Sequence, residues 1–117
     1  MAPAMDCLFC QIAAKTIPAQ VVLENNEIIV FKDIHPQAPT HLLIVPKKHV
    51  ARVSELTDED DGLVAAVHRA IRDLAKTVDP EKKGFRIVVN NGSAAGQAVA
   101  HLHYHFLAGR LLSWPPG

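Results

Sequence analysis

No apolar run in this 117-residue chain approaches the roughly 18 residues of a membrane span. The opening Met-Ala-Pro-Ala-Met-Asp lacks the basic start and apolar stretch of a secretory leader, so a cytoplasmic protein is expected. Neither sign of charge is in excess, with 12 Lys and Arg against 12 Asp and Glu. That balance argues against a nucleic-acid or anionic-membrane surface, and any anionic partner must be held locally. Cysteine is scarce: Cys7 and Cys10 are the only two, and in a reducing compartment their C-x-x-C spacing favours metal or redox chemistry over a structural disulfide. Repeats and low-complexity segments are absent. The length suits one domain over 1–117, with a flexible N-terminus over 1–6 and a tail over 108–117. One core of this size leaves little room for a deep enclosed cavity, so a groove or subunit junction is the expected ligand site.

What the chain does have is histidine, concentrated in His101-Leu102-His103-Tyr104-His105-Phe106-Leu107. Unbroken alternation with apolar residues predicts a strand carrying three imidazoles on one face and Leu102, Tyr104 and Phe106 on the other. Alternate residues of a strand lie about 6.7 Å apart, a spacing suited to a phosphate group or a metal. Just before it, Asn90-Asn91-Gly92-Ser93-Ala94-Ala95-Gly96-Gln97-Ala98 is a glycine-punctuated loop. Glycines that accept φ > 0 can turn backbone N–H groups into a nest for an anion.

The other elements follow from periodicity. Asp6 is a candidate cap for a short helix through Phe9, Ile12 and Ala13. Val21–Glu24 and Glu27–Phe31 read as a hairpin about a two-residue Asn25-Asn26 turn. Pro36 and Pro39 make 33–40 a loop, and the nearly all-apolar His41–Val45 predicts a strand buried on both faces. Thr57 and the acidic residues after it open an amphipathic helix over about 58–78, stopped by Pro80. Strands over Phe85–Val89 and Ala100–Leu107 complete five strands, one long helix and one short one. Short connections favour antiparallel pairing, hence an α+β fold with a five-stranded antiparallel sheet.

Gly96-Gln97-Ala98-Val99-Ala100 followed by His-x-His-x-His-x-x resembles the histidine-triad motif, and the ending Trp114-Pro115-Pro116-Gly117 is similar to that of its Hint branch. Phe31-Lys32-Asp33-Ile34 and Pro39-Thr40-His41 extend the resemblance to nearly the whole chain. It implies a hydrolase of purine nucleoside phosphoramidates or other nucleoside monophosphate conjugates. His103 would attack the α-phosphate to give a nucleotidyl-histidine that water then hydrolyses, and His105 would assist at the phosphate with charge or a proton. The chemistry is sound, since an imidazole of ordinary pKa, about 6.5, is mostly a free nucleophile at neutral pH. The family positions also make Asp33 the reader of the ribose hydroxyls, set Asn90, Gly96 and Gln97 about the phosphate, and enclose the base with Phe9, Ile12, Phe31 and Ile34. Ala98 stands where the commoner pattern has a serine.

The resemblance further implies a homodimer whose two sheets join, with Trp114 of each tail reaching the partner's site. It also implies a structural zinc ion held by Cys7, Cys10, His49 and His101, although spacing alone accounts only for the cysteine pair. Other readings stay open on the residues themselves. Asp33 could simply close an Asx-turn, the apolar pocket residues could be core, and Trp114 could fold back on its own subunit. His-x-His on a strand could ligate a catalytic zinc. The chain could be a zinc-dependent nucleotide-sensing or interaction module with vestigial catalysis, for which Ala98 speaks, or a dinucleoside polyphosphate hydrolase of the Fhit type.

Overall fold

The computed structural model describes residues 7–117. The proposed cap at Asp6 and the 1–6 extension lie outside them. Five strands form one antiparallel sheet: β1 (Val21–Glu24), β2 (Ile28–Lys32), β3 (Thr40–Pro46), β4 (Phe85–Val88) and β5 (Tyr104–Ala108), in spatial order β1-β2-β3-β5-β4. Helix α1 (Leu8–Ala13) covers one face and α2 (Asp61–Val78) the other.

The pleat sorts the side chains. Ile28, Val30, Leu42, Ile44, Tyr104 and Phe106 face α2 and meet Val67, Ile71 and Leu74, which recur at helical spacing. Ile29, Phe31, Leu43 and Val45 point the other way, onto Phe9 and Ile12 of α1. With both faces covered, β2 and β3 are buried almost end to end. Phe106 is fully buried and stacks on Phe85 with ring centroids 4.6 Å apart. Cutting such a ring to alanine typically costs about 3–5 kcal/mol.

Four local expectations are revised. The α1 cap is Cys7, whose Sγ accepts the Cys10 N–H at 3.3 Å. A 3-10 turn over Asp58–Asp60 precedes α2, with Asp60 Oδ2 accepting the Thr57 N–H at 3.0 Å. The β1–β2 turn falls one residue later than read: Asn25 Oδ1 accepts the Glu27 and Ile28 N–H groups at 2.8 and 3.0 Å, doing the work of a main-chain carbonyl. Neither asparagine needs φ > 0, the only non-glycine residues there among those described being Lys15 and Lys82.

The fourth revision bears on function. The last strand starts at Tyr104, not Ala100. Ladder register pairs Ile44 with Tyr104, so the next partner in step with Leu102 would be Pro46, which has no N–H to give. The Leu102 N–H turns instead to Val50 O at 2.7 Å, and the Pro46 carbonyl takes a hydrogen bond from the His101 ring, also at 2.7 Å. At the other end of β5, Gly109 has φ +98°, and a Cβ there would come 2.8 Å from Pro39 Cβ, so the β2–β3 loop lies directly on it.

Candidate active site

On the face opposite α2, an open groove of about 1020 Å³ runs past α1, the end of β2, the glycine loop and β5. That is at the upper end of the roughly 300–1,000 Å³ usual for small-molecule sites. Among its lining residues are His103, His105, Asp33, Asn90, Gly96, Phe9, Ile12, Phe31, Ile34 and Ala98. Trp114, expected at a partner's site, is 81% exposed on the tail and is part of neither the groove lining nor the core of its own chain. One residue expected at the groove is elsewhere. Gln97 has turned its amide inward: Oε1 accepts the Gly92 N–H at 2.8 Å, while Nε2 donates to Ala51 O and Val99 O at 2.7 and 3.0 Å.

The glycine loop is also less of a nest than its composition suggested. Gly92 and Gly96 do have positive φ, but the N–H groups of Gly92, Ala95, Gly96 and Gln97 are all satisfied inside the loop. Their work is to shape the turn that brings Gly96 and Ala98 to the groove wall.

The three alternating histidines part company. His101 is fully buried and leaves the groove for a cluster with Cys7, Cys10 and His49. Its Nε2–H must donate, because its partner Pro46 O can only accept, so Nδ1 carries a bare lone pair. That lone pair faces Cys7 Sγ at 3.3 Å, Cys10 Sγ at 3.5 Å and His49 Nδ1 at 3.1 Å; His49 Nδ1 in turn lies 3.4 and 3.2 Å from the two sulfurs. Two soft thiols and two imidazoles converging at these separations fit a tetrahedral zinc ion, whose ligand atoms sit about 3.3–3.8 Å apart for bonds of 2.0–2.3 Å. Burial, the neighbouring Pro46 carbonyl notwithstanding, holds the His101 pKa down, and so keeps the ring neutral as ligation requires.

His103 and His105 stay in the groove, with rings 5.1 Å apart. His103 Nδ1 lies 2.8 Å from His101 O, again a pure acceptor, so Nδ1 bears a hydrogen and the lone pair of the neutral ring is on Nε2. Phe9 packs edge-on against this ring at 5.1 Å and holds its tilt. His105 Nδ1 meets His41 Nε2 at 2.9 Å. Burial first, then the adjacent His103 and His41, push the His105 pKa down to about 4, against the opposing pull of Asp33. In the free protein at neutral pH His105 is therefore an uncharged hydrogen-bonding group, not the imidazolium that the sequence suggested for an amine leaving group.

His41 is the residue that sequence reading left without a role. It stands diagonally across the ladder from His105, since His41 pairs with Leu107 and Leu43 with His105, which puts the two imidazoles on one face. Burial lowers its pKa, with Asp33 opposing. Asp33 divides its carboxylate: Oδ1 accepts the His35 N–H at 2.7 Å in an Asx-turn, and Oδ2 lies 3.5 Å from His41 Nε2. Asp33, His41 and His105 could span a metal by distance alone. The hydrogen bonds say otherwise. The Gln37 N–H donates to His41 Nδ1 at 3.0 Å, so the His41 proton sits on Nε2, where a metal would need a lone pair.

Comparison with known proteins gives the family. The HIT domain family matches residues 14–112. The chain belongs to the HIT family. An uncharacterized HIT-like protein of Synechocystis is 42% identical over 114 residues, covering 97% of this chain and 99% of that protein. The crystal structure of a HIT family hydrolase from Legionella pneumophila superposes with a TM-score of 0.93 at 48% identity, covering 96% of this chain and 100% of that one. A histidine triad protein from Clostridium difficile gives 0.90 at 42% identity, over 95% and 96% of the two chains. The HIT fold is thus shared essentially end to end, and the groove is lined by His103, just before β5, and His105 within it. No helix among the described residues is long and apolar enough to cross a membrane.

Proposed function

We propose that this HIT protein hydrolyses purine nucleoside phosphoramidates or related nucleoside monophosphate conjugates. The observation that carries the reading is the His103 hydrogen bond to His101 O, which selects the tautomer whose lone pair is on Nε2, in a ring that lines the groove. In the first step the Nε2 lone pair attacks phosphorus, the P–N bond breaks, and the leaving nitrogen takes a proton from water in the open groove, leaving the nucleotide on His103. A second water then attacks phosphorus and gives up a proton to solvent, the P–His103 bond breaks, and the nucleoside monophosphate is released. His105, with Nδ1 engaged by His41, offers its Nε2–H to a phosphoryl oxygen. Asp33 Oδ2 is available for a ribose hydroxyl, and Phe9, Ile12, Phe31 and Ile34 supply apolar contact for the base. The likeness to the HIT family hydrolase of Legionella pneumophila supports the reaction class.

Cys7, Cys10, His49 and His101 would hold zinc, which when bound supplies a structural cross-link between α1 and the segments around residues 49 and 101. Partner-chain contacts would come from a symmetric dimer: β4 is a half-buried edge strand whose Arg86 Nη2 donates to Leu112 O of the tail at 3.2 Å, and Leu111 and Trp114 of that tail stand 91% and 81% exposed. Incubating the protein with adenosine 5′-phosphoramidate, with and without chelator, tests the proposal. Release of adenosine monophosphate in both, with a nucleotidyl adduct on His103 trapped by mass spectrometry, is expected. An adduct on another residue, or turnover that vanishes at once with chelator, contradicts it.

A further inference from the structure

The loop joining β2 and β3 is bound to the root of the C-terminal tail at two points. Pro39 lies on Gly109, and the Gln37 carbonyl accepts from Arg110 Nε at 3.0 Å. Arg110 Nη1 also donates to Leu111 O at 3.0 Å, which ties the guanidinium to its own segment. The other backbone group of Gln37, its N–H, is the one that meets His41 Nδ1. One residue therefore connects the tail to the buried end of the histidine pair.

We propose that the backbone of Gln37, held in place by Arg110, is a positioning element that fixes the His41 proton on Nε2 and thereby leaves His105 with its proton on the nitrogen facing the groove. The logic is one of donors and acceptors. An amide N–H can only donate, so His41 Nδ1 must accept and His41 Nε2 must carry the hydrogen. That hydrogen points at His105 Nδ1, 2.9 Å away, which must accept in its turn. The neutral His105 ring then has its only N–H at Nε2. Reversing the chain would put a proton between Gln37 N and His41 Nδ1, where two donors face each other, and would aim a His105 lone pair at a phosphoryl oxygen, a contact between two electron-rich atoms. Gln37 and Arg110 touch no reacting atom; they act through His41. Only the final step, the benefit at phosphorus, rests on the hydrolase reading above.

The test uses full-length, metal-loaded protein with the Gln37 amide replaced by an ester, introduced as the α-hydroxy analogue of glutamine. This swap removes the N–H and puts a weak acceptor in its place with almost no change in shape. Long-range nitrogen-15 spectra of the histidine rings are expected to show His41 protonated on Nε2 in the parent and on Nδ1 in the ester. His101, held by Pro46, should keep Nε2–H in both. On a phosphoramidate substrate the ester should lose about tenfold in kcat/KM, the order of one lost hydrogen bond at a charged group. Arg110→Met should shift both readouts the same way by a smaller amount, and Arg110→Lys should restore them. A parent His41 protonated on Nδ1, or an ester whose His41 tautomer does not move, overturns the proposal, whatever the rate does. If the parent turns over no phosphoramidate while the tautomers behave as stated, it is the hydrolase reading that fails and the positioning role that stands.

Discussion

Two histidine clusters lie within a few residues of each other, and nearly the same side chains do opposite things in them. Around His101, four donor atoms turn lone pairs toward one point, the arrangement a cation completes. Around His41 and His105, donors and acceptors alternate along a line that begins at a main-chain N–H, the arrangement that leaves no place for a cation and orders protons instead. The difference is made by what lies behind each ring. A carbonyl behind His101 Nε2 frees Nδ1 for a metal, whereas an amide behind His41 Nδ1 puts a proton on Nε2. Spacing alone found only the cysteine pair, the family resemblance added His49 and His101, and His41 was given no role; telling the two clusters apart needed the backbone partner of the far nitrogen.

The largest test of this contrast is His103→Ala. It should remove turnover by several powers of ten while nucleotide still binds and zinc content, measured by atomic emission, stays near one per chain. Loss of metal along with activity would mean that the two clusters are not separate. The converse change, Cys7→Ala with Cys10→Ala, should abolish zinc and lower the melting temperature by on the order of 10 °C, since a ligand bound only by the folded state stabilises it. It also removes the Cys7 cap of α1, so adding back zinc to the parent stripped by chelator separates the two contributions. A chelated parent that melts unchanged would deny the cluster its structural role.

A smaller effect sharpens the catalytic side alone. Ala98 lines the groove beside His103, and Ala98→Ser supplies a hydroxyl donor worth typically 1.5–3 kcal/mol at a charged group, so steady-state kinetics should show about a tenfold or greater gain in phosphoramidate turnover. No gain would mean that other groups already meet that oxygen.

The smallest is a pH effect on stability. The folded state lowers the His105 pKa to about 4 from the model-compound value of 6.5, so the unfolded chain binds the proton more readily. The contribution is neutral above about pH 6.5 and becomes destabilising as pH falls from there toward 4. Denaturant titrations across that window should find the loss reduced in His105→Asn. An identical pH dependence in the two proteins would show that the ring is not held neutral.

How much of this was legible beforehand depended on the kind of signal. Periodic, apolar signals were read correctly: Leu63 to Leu74 at helical spacing became α2, and the all-apolar 41–45 became a strand covered on both sides. The alternating histidines were correctly placed in the sheet region but not correctly counted as one row. Two of them precede the strand because Pro46, 55 residues before His101, has no N–H at the matching rung. Gln97 was set about the phosphate by the family resemblance; in this chain its amide is held by Gly92, Val99 and Ala51, the last 46 residues away. His41 was passed over because its role comes from a diagonal register across two strands. In each case the missing information was a long-range pairing, which local pattern cannot carry.

Gly109 illustrates what such pairings do to the meaning of a position. Pro39 occupies the place where any side chain would begin, and the backbone there is left-handed. In a deep mutational scan this site should therefore be as intolerant as the histidines, across all nineteen replacements, without taking part in any chemistry. Its intolerance would also resist chemical rescue: added imidazole can complement a missing histidine ring, but no small molecule can take away a surplus methyl group. A map of sensitivity alone would colour the two alike, and rescue is what tells steric exclusion from function.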